Sequence, residues 1–316
     1  MDRYLTLEIL ISMPDISVKL GTKLTLTNPI MTASGTFGYG DEVSDLVDVN
    51  QFGAIVTKSL SLEPRVGNPA PRIAETPSGM LNSIGLANIG LEAFLADKKP
   101  FLAALSTKVV VNIAARTEDE FITVIERLDA EDWITAYEIN VSCPNVKEGG
   151  IAFGTNPVVL KKLCEALRRT TKRFLIIKLS PNVTDIAKMA QIAEDSGADA
   201  ISLINTVYGA AIDIYSRKPK INTVIGGLSG PAIKPIACAN IIKVFSAVSV
   251  PIIGIGGICN GEDVIEFILA GATAVQLGTV NFMNPHAVGG IIRYIENYLQ
   301  QQRLGAISDI IGCFER

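Results

Sequence analysis

Eight short apolar runs, separated by helix-forming stretches, constrain this 316-residue chain more than any other feature. They lie at 29–34, 54–59, 109–113, 136–141, 174–179, 200–205, 251–255 and 274–278. Each is apolar almost continuously rather than at alternate positions, which is the mark of strands covered on both faces. Eight strands alternating with helices predict an α/β fold, a closed (β/α)8 TIM barrel, as a single domain over residues 1–316. An open parallel sheet of eight strands is the competing arrangement.

The punctuation between the runs supports helices. Thr117 to Glu120 has the Thr-x-x-Glu form of a capping box, followed by a stripe of Phe121, Val124, Ile125 and Leu128. Asn156-Pro157 reads as a cap followed by a first-turn proline. Thr184 is expected to open a helix ending near Gly197, and Asn260 one ending near Gly271. The stretches starting at Ser196 and Ala270 resemble each other, each a helix end, a glycine stop and a strand.

Composition removes several function classes. A net charge of −4 lacks the basic surplus of a nucleic-acid binder. The five cysteines, Cys143, Cys164, Cys238, Cys259 and Cys313, include no CxxC pair, so a zinc or iron–sulfur site within this chain is not expected. Isolated cysteines suit a reducing cytosol. His286 is the single histidine, which argues against a histidine triad or a histidine metal cluster. The apolar run from Leu7 to Ile11 is short and broken by Glu8, too little for a signal peptide or a membrane anchor. A cytoplasmic protein with no membrane attachment is expected.

Loop lengths point to the chemistry. The strand-to-helix connections at 60–90 and 207–232 are long and that at 142–155 is moderate. In barrels these connections emerge at the C-terminal face, where function resides, and long ones act as lids or binding loops. After the seventh run comes Gly254-Ile-Gly-Gly-Ile258, and after the eighth Gly278-Thr279. Backbone N–H groups at those two turns commonly hold a phosphate. Asn140-Val-Ser-Cys-Pro-Asn145 ends the fourth run, with Cys143 in polar surroundings and held extended by the proline after it; Cys164, on a helix, reads as core. Lys58 closes the second run and Lys178 lies in the fifth. A lysine in an apolar strand needs a ligand or a carboxylate, and for Lys178 an internal pair with Glu138 is the alternative to a ligand. Asn112, Asn140 and Asn205 at strand ends, with Asn82-Ser-Ile-Gly-Leu86 and Asn88 from the long loop, offer donors and acceptors suited to a heterocycle.

In their order along the chain these motifs resemble the dihydroorotate dehydrogenase family, over about residues 14 to 312. The resemblance is carried by Ala33-Ser34-Gly35, Thr57-Lys58-Ser59, Asn82 to Leu86, Asn140 to Asn145, Lys178-Leu-Ser-Pro, Asn205-Thr206, Ser229-Gly230-Pro231, Gly256-Gly257 and Gly278-Thr279. A cysteine at position 143 resembles the soluble class, and Gly227 to Pro235 looks like the NAD-linked two-subunit form. The resemblance implies FMN as cofactor, with FAD and a [2Fe–2S] cluster on a separate electron-transfer subunit, and a homodimer of this chain within a heterotetramer. It implies oxidation of dihydroorotate to orotate, with Cys143 as the base at C5 and a hydride passing from C6 to the flavin. Lys58, Asn82, Ser83, Ile84, Gly85, Leu86, Asn140, Asn205 and Thr206 are implied to bind substrate. Ser34, Lys58, Ser59, Asn112, Asn140, Lys178, Ile204, Gly230, Gly256, Gly257, Gly278 and Thr279 are implied to hold FMN, Lys178 at the pyrimidine edge. A fumarate-linked one-subunit form, the pyrimidine-reducing domain of dihydropyrimidine dehydrogenase and a non-catalytic phosphate-binding barrel are the alternatives.

Overall fold

The computed structural model describes residues 13–142 and 153–315. All eight expected runs are strands, seven of them trimmed and β3 one residue longer: β1 (Ile30–Thr32), β2 (Ala54–Val56), β3 (Lys108–Ile113), β4 (Ala136–Asn140), β5 (Phe174–Lys178), β6 (Ala200–Leu203), β7 (Ile252–Ile255) and β8 (Ala274–Leu277). They pair in parallel in chain order, and β8 returns to β1 with Val275 beside Ile30, so the barrel is closed and has no edge. That closure excludes the open sheet. Nearly every strand residue is buried, because side chains point alternately into the barrel and under the outer helices.

Seven helical segments cover the strands. They are α1 (Leu91–Ala93, continuing through Phe94–Lys98 and Lys99–Leu102), α2 (Glu118–Leu128), α3 (Pro157–Thr170), α4 (Ile186–Asp195), α5 (Lys234–Phe245), α6 (Gly261–Leu269) and α7 (Ala287–Gln301). The eight-fold repeat is incomplete: only 3₁₀ turns at Asp41–Val43 and Val49–Gln51 lie between β1 and β2. There Phe37 and Phe52, buried with ring centroids 5.3 Å apart, fill the space an ordinary helix would cover.

The caps show which sequence signals acted. Asn156 Oδ1 accepts the N–H groups of Val158 and Val159 ahead of α3, as expected. Thr117 accepts the Glu120 N–H ahead of α2, but the Glu120 carboxylate does not close the box. It accepts instead from the N–H of Arg116 at 2.7 Å and from Arg65 at 3.3 Å, and so ties the long loop after β2 to the barrel. Helix α4 starts one residue later than expected, because the carboxylate of Asp185, not the Thr184 hydroxyl, accepts the Lys188 N–H. Asn260 and Asp263 form a complete capping box at α6, and Asp263 also accepts the Cys259 N–H at 2.8 Å.

The long loops are not irregular. Ile73–Thr76 and Gly79–Asn82 from the connection after β2 join Val207–Ala210 and Ile225–Ser229 from the connection after β6. Together they make one four-stranded antiparallel sheet at the C-terminal face of the barrel. Its central pairing sets Asn82 beside Gly227.

The α6 box fixes the turn that follows β7, so its loss is readable in stability. Asn260→Ala is expected to cost about 1 kcal/mol. In urea unfolding the midpoint should fall with an unchanged slope; an unmoved midpoint would show that the cap contributes nothing there.

Candidate active site

Inside the barrel the strands converge on one carboxylate. Glu138 on β4 is fully buried. Its Oε1 accepts from Asn112 Nδ2 on β3 at 2.7 Å and from Lys178 Nζ on β5 at 3.4 Å. Its Oε2 accepts from Ser202 Oγ on β6 at 2.9 Å and from Gln276 Nε2 on β8 at 2.6 Å. The internal ion pair weighed for Lys178 is therefore present. It does not exhaust the lysine, since Nζ has no other hydrogen-bond partner among the described residues. Asn112 Oδ1 and Gln276 Oε1 are buried without partners, and such acceptors cost free energy unless something supplies a donor.

At the strand ends above this network lies a chain of amides. Asn205 Nδ2 donates to Asn140 Oδ1 at 3.3 Å, and Asn205 Oδ1 accepts the Thr206 N–H at 2.8 Å. Asn140 Oδ1 also accepts the Ser142 N–H. Thr206 packs so closely on Gly227 that a Cβ there would stand 2.2 Å from the threonine hydroxyl. Asn82 Nδ2 reaches the Gly227 carbonyl at 3.3 Å. Contacts thus run without a break from Asn140 to Asn82, joining residues 58 positions apart in sequence through the cap sheet.

Lys58 at the end of β2 is half-buried, and its ammonium has no ion pair among the described residues. Burial holds its pKa below the ordinary lysine value, the positive charge of Arg72 adds to that, and Glu42 opposes it. Arg72 was not among the residues the sequence singled out. A basic residue after a proline in a long loop was the available signal. Arg72 is tied into the same loop, its carbonyl accepting the Ser83 N–H at 2.8 Å and its guanidinium donating to the carbonyls of Val66 and Asn68. Two cations with little counter-charge make an anion-attracting mouth.

The rest of the 82–88 segment divides. Asn68 packs against Gly85, and the Ile84 carbonyl accepts the Asn68 N–H at 3.0 Å. Gly85 has φ of 75°, which favours glycine, and a Cβ there would lie 2.6 Å from Asn68 N; Leu86 follows at φ 57°. The Ser83 hydroxyl is buried without a partner. Asn88, expected to add donors to the site, is instead consumed within the loop. Its amide donates to Ser61 Oγ and the Leu86 carbonyl, and its Oδ1 accepts from Gly90 and Ser61.

Two features suit the FMN that the resemblance implies. Gly256 and Gly257 after β7 have φ of 130° and 77°, and a Cβ on Gly257 would lie 2.8 Å from the Gly230 carbonyl oxygen and 2.9 Å from Lys234 N. These turns admit no side chain, so their backbone is open to a phosphate near the start of α5. A Cβ at Gly278 meets nothing nearer than Ala33 Cβ at 3.6 Å, and Thr279 follows at the start of Val280–Met283. The orphaned Asn112 Oδ1 and the spare Lys178 donors would face a ring with alternating N–H and C=O groups. Ser34 and Ser59 pair by their hydroxyls at 3.3 Å at the ends of β1 and β2, and Ile204 is buried beneath Gly256. Among the described residues no group of three or more His, Cys, Asp and Glu could hold a metal.

Cys143 lies outside the described residues. Of the described residues on either side, Ser142 stands between Asn140 and the Lys178 carbonyl, and Gly154 N–H donates to the Val141 carbonyl at 2.9 Å. Burial disfavours the thiolate form of three other cysteines. Burial pushes Cys164 and Cys238 up to about 12 and raises Cys259. Cys164 is a core residue, as its helix position predicted.

Comparison with known proteins agrees with this geometry. Residues 17–299 match the model of the family described as dihydroorotate dehydrogenase. The chain is 54% identical over 302 residues to the dihydroorotate dehydrogenase B (NAD(+)), catalytic subunit, of Pelobacter propionicus, covering 96% of this chain and 99% of that one. It is 54% identical to the protein of the same name from Trichlorobacter lovleyi over the same shares. The Alkaliphilus oremlandii protein of that name is 54% identical over 289 residues, 92% of this chain and 95% of its own.

The Lys58–Arg72 pair predicts a titration. Arg72→Ala removes a positive neighbour, which favours the charged form of Lys58 and moves its pKa up toward the ordinary lysine value. Isotope-labelled methyl groups on the lysines, with Lys58 assigned by Lys58→Arg, would report it by NMR. A downward or absent shift would contradict the electrostatic coupling.

Proposed function

The chain belongs to the dihydroorotate dehydrogenase family, and we propose that it oxidises dihydroorotate to orotate in pyrimidine biosynthesis as the FMN-binding catalytic subunit of an NAD-linked enzyme. It acts as one barrel domain, a homodimer of which is joined in a heterotetramer by a subunit carrying FAD and a [2Fe–2S] cluster. It is cytoplasmic; no helix among the described residues is long and apolar enough to cross a membrane.

The observation that carries this reading is the barrel mouth itself. Lys58 brings a cation with no ion pair among the described residues to a barrel mouth whose amides are linked from Asn140 through Asn205 and Thr206 to Asn82. A substrate with one carboxylate and a ring of alternating C=O and N–H groups meets both needs. The carboxylate takes Lys58, with Arg72 adding to the field, and the ring takes the amides and the backbone of Ser83, Ile84, Gly85 and Leu86. Asn140 and Asn205, locked to each other, are held ready rather than ordered on binding. FMN, when bound, supplies the hydride acceptor. Ser34, Ser59, Asn112, Ile204 and Gly230 would line its ring and chain, and Gly256, Gly257, Gly278 and Thr279 would hold its phosphate. Lys178 would offer a positive charge that favours the reduced ring.

Cys143 removes the proton from C5. That is the role the family resemblance implies for a cysteine at this position of the Asn140 to Asn145 motif, and burial raises the thiols of Cys164, Cys238 and Cys259. In single-turnover mixing with dihydroorotate, Cys143→Ser should slow flavin reduction by about 10²–10⁴-fold while FMN content stays unchanged. Flavin reduction at the wild-type rate would remove Cys143 from the mechanism.

A further inference from the structure

Lys178 is the cation that this reading sets against the flavin ring, but it does not act with its full charge. Its Nζ lies 3.4 Å from the carboxylate of Glu138, which is fully buried. Away from water such a neighbour offsets much of the ammonium's field. We propose that Glu138 is a positioning residue that orients Lys178, offsets its charge and thereby holds down the reduction potential of the bound flavin. The inference rests on the FMN reading above.

Glu138 can act only through its neighbours. Its two oxygens are taken by Asn112 and Lys178 on one side and by Ser202 and Gln276 on the other. Four strands besides its own hold it in place, so it cannot swing toward a ligand. Lys178 keeps two donors without partners among the described residues. Reduction adds negative charge to the flavin ring, and a less neutralised Lys178 would favour that state.

The network also accommodates a substitution that removes the charge and keeps the shape. A glutamine at 138 retains Oε1 for Asn112 and Lys178. Its amide nitrogen can donate to Ser202 Oγ and, after a flip of the Gln276 side chain, to the Gln276 Oε1 that has no partner now.

The test is an anaerobic reductive titration of the FMN-loaded protein against a redox dye, comparing wild type with Glu138→Gln, alongside thermal unfolding. The potential should rise, with the affinity ratio of reduced to oxidised FMN growing about tenfold, the scale of one charge acting through protein at an effective dielectric of ~20. Ser202→Ala, which removes an uncharged donor from the same carboxylate, should leave the potential where it is. A folded, FMN-bound Glu138→Gln protein whose potential is unmoved or lowered overturns the proposal, whatever happens to its melting temperature. If Glu138→Gln does not fold, Lys178→Met, which removes the cation through which Glu138 acts, is measured in its place and should lower the potential; an unmoved potential there overturns the proposal equally. Wild-type protein that takes up no FMN overturns the functional reading beneath it as well.

Discussion

A carboxylate buried without water must be paired, and in this barrel that requirement falls on Glu138. Removing one partner of a buried pair costs about 3–5 kcal/mol because the other charge is left stranded. The donors that prevent this come from β3, β5, β6 and β8, two of them uncharged amides, one a hydroxyl and one the Lys178 ammonium. A slip of one residue in β4 would turn Glu138 out toward the helices and break all four contacts. The polar network therefore fixes the registers of five strands at once, and strand register decides which side chains stand at the barrel mouth. Asn140, two residues beyond Glu138 on the same face, is placed by the same alternation.

Above that floor the site is assembled from both long connections. Neither hairpin could hold its position alone, since an isolated two-stranded ribbon is marginal in water. Joined as four strands they bring Asn82 and Thr206 to a common glycine, Gly227, where any side chain would collide. The loop after β2 is further tied down by Glu120, which accepts from Arg116 and Arg65, and by Asn88, whose amide group is fully used inside the loop. Support and recognition are thus divided among residues that look alike in sequence. Asn88 holds the loop, while Asn82 reaches across the cap sheet to the Gly227 carbonyl.

That division explains what could be read from the sequence. The eight strands were legible because both of their faces are buried, which leaves a nearly unbroken apolar run. The glycines after β7 were legible because a positive φ and a close approach of backbone to backbone favour glycine there. The cap sheet was not: Val207–Ala210 and Ile225–Ser229 are glycine-containing and half-exposed, and Ile225–Ser229 pairs with Gly79–Asn82, more than a hundred residues away. Arg72 escaped notice because its effect on Lys58 acts through space. Asn88 was misjudged because an amide's availability depends on partners that only the folded loop supplies. The missing helix after β1 is likewise a tertiary result, its place taken by packed aromatic rings. For Lys178 the sequence left open an ion pair or a ligand; the structure has the pair, with two lysine donors still free among the described residues.

The account stands on a barrel mouth that takes a dihydropyrimidine carboxylate next to a flavin. The most direct measurement is the visible spectrum of the purified chain, recorded anaerobically while dihydroorotate is added, with dihydrouracil as the control that lacks the carboxylate. The account predicts a yellow protein whose flavin absorbance bleaches with dihydroorotate and persists with dihydrouracil, because Lys58 selects for the anion. A flavin that stays oxidised in excess dihydroorotate, or that bleaches equally with both compounds, would contradict it.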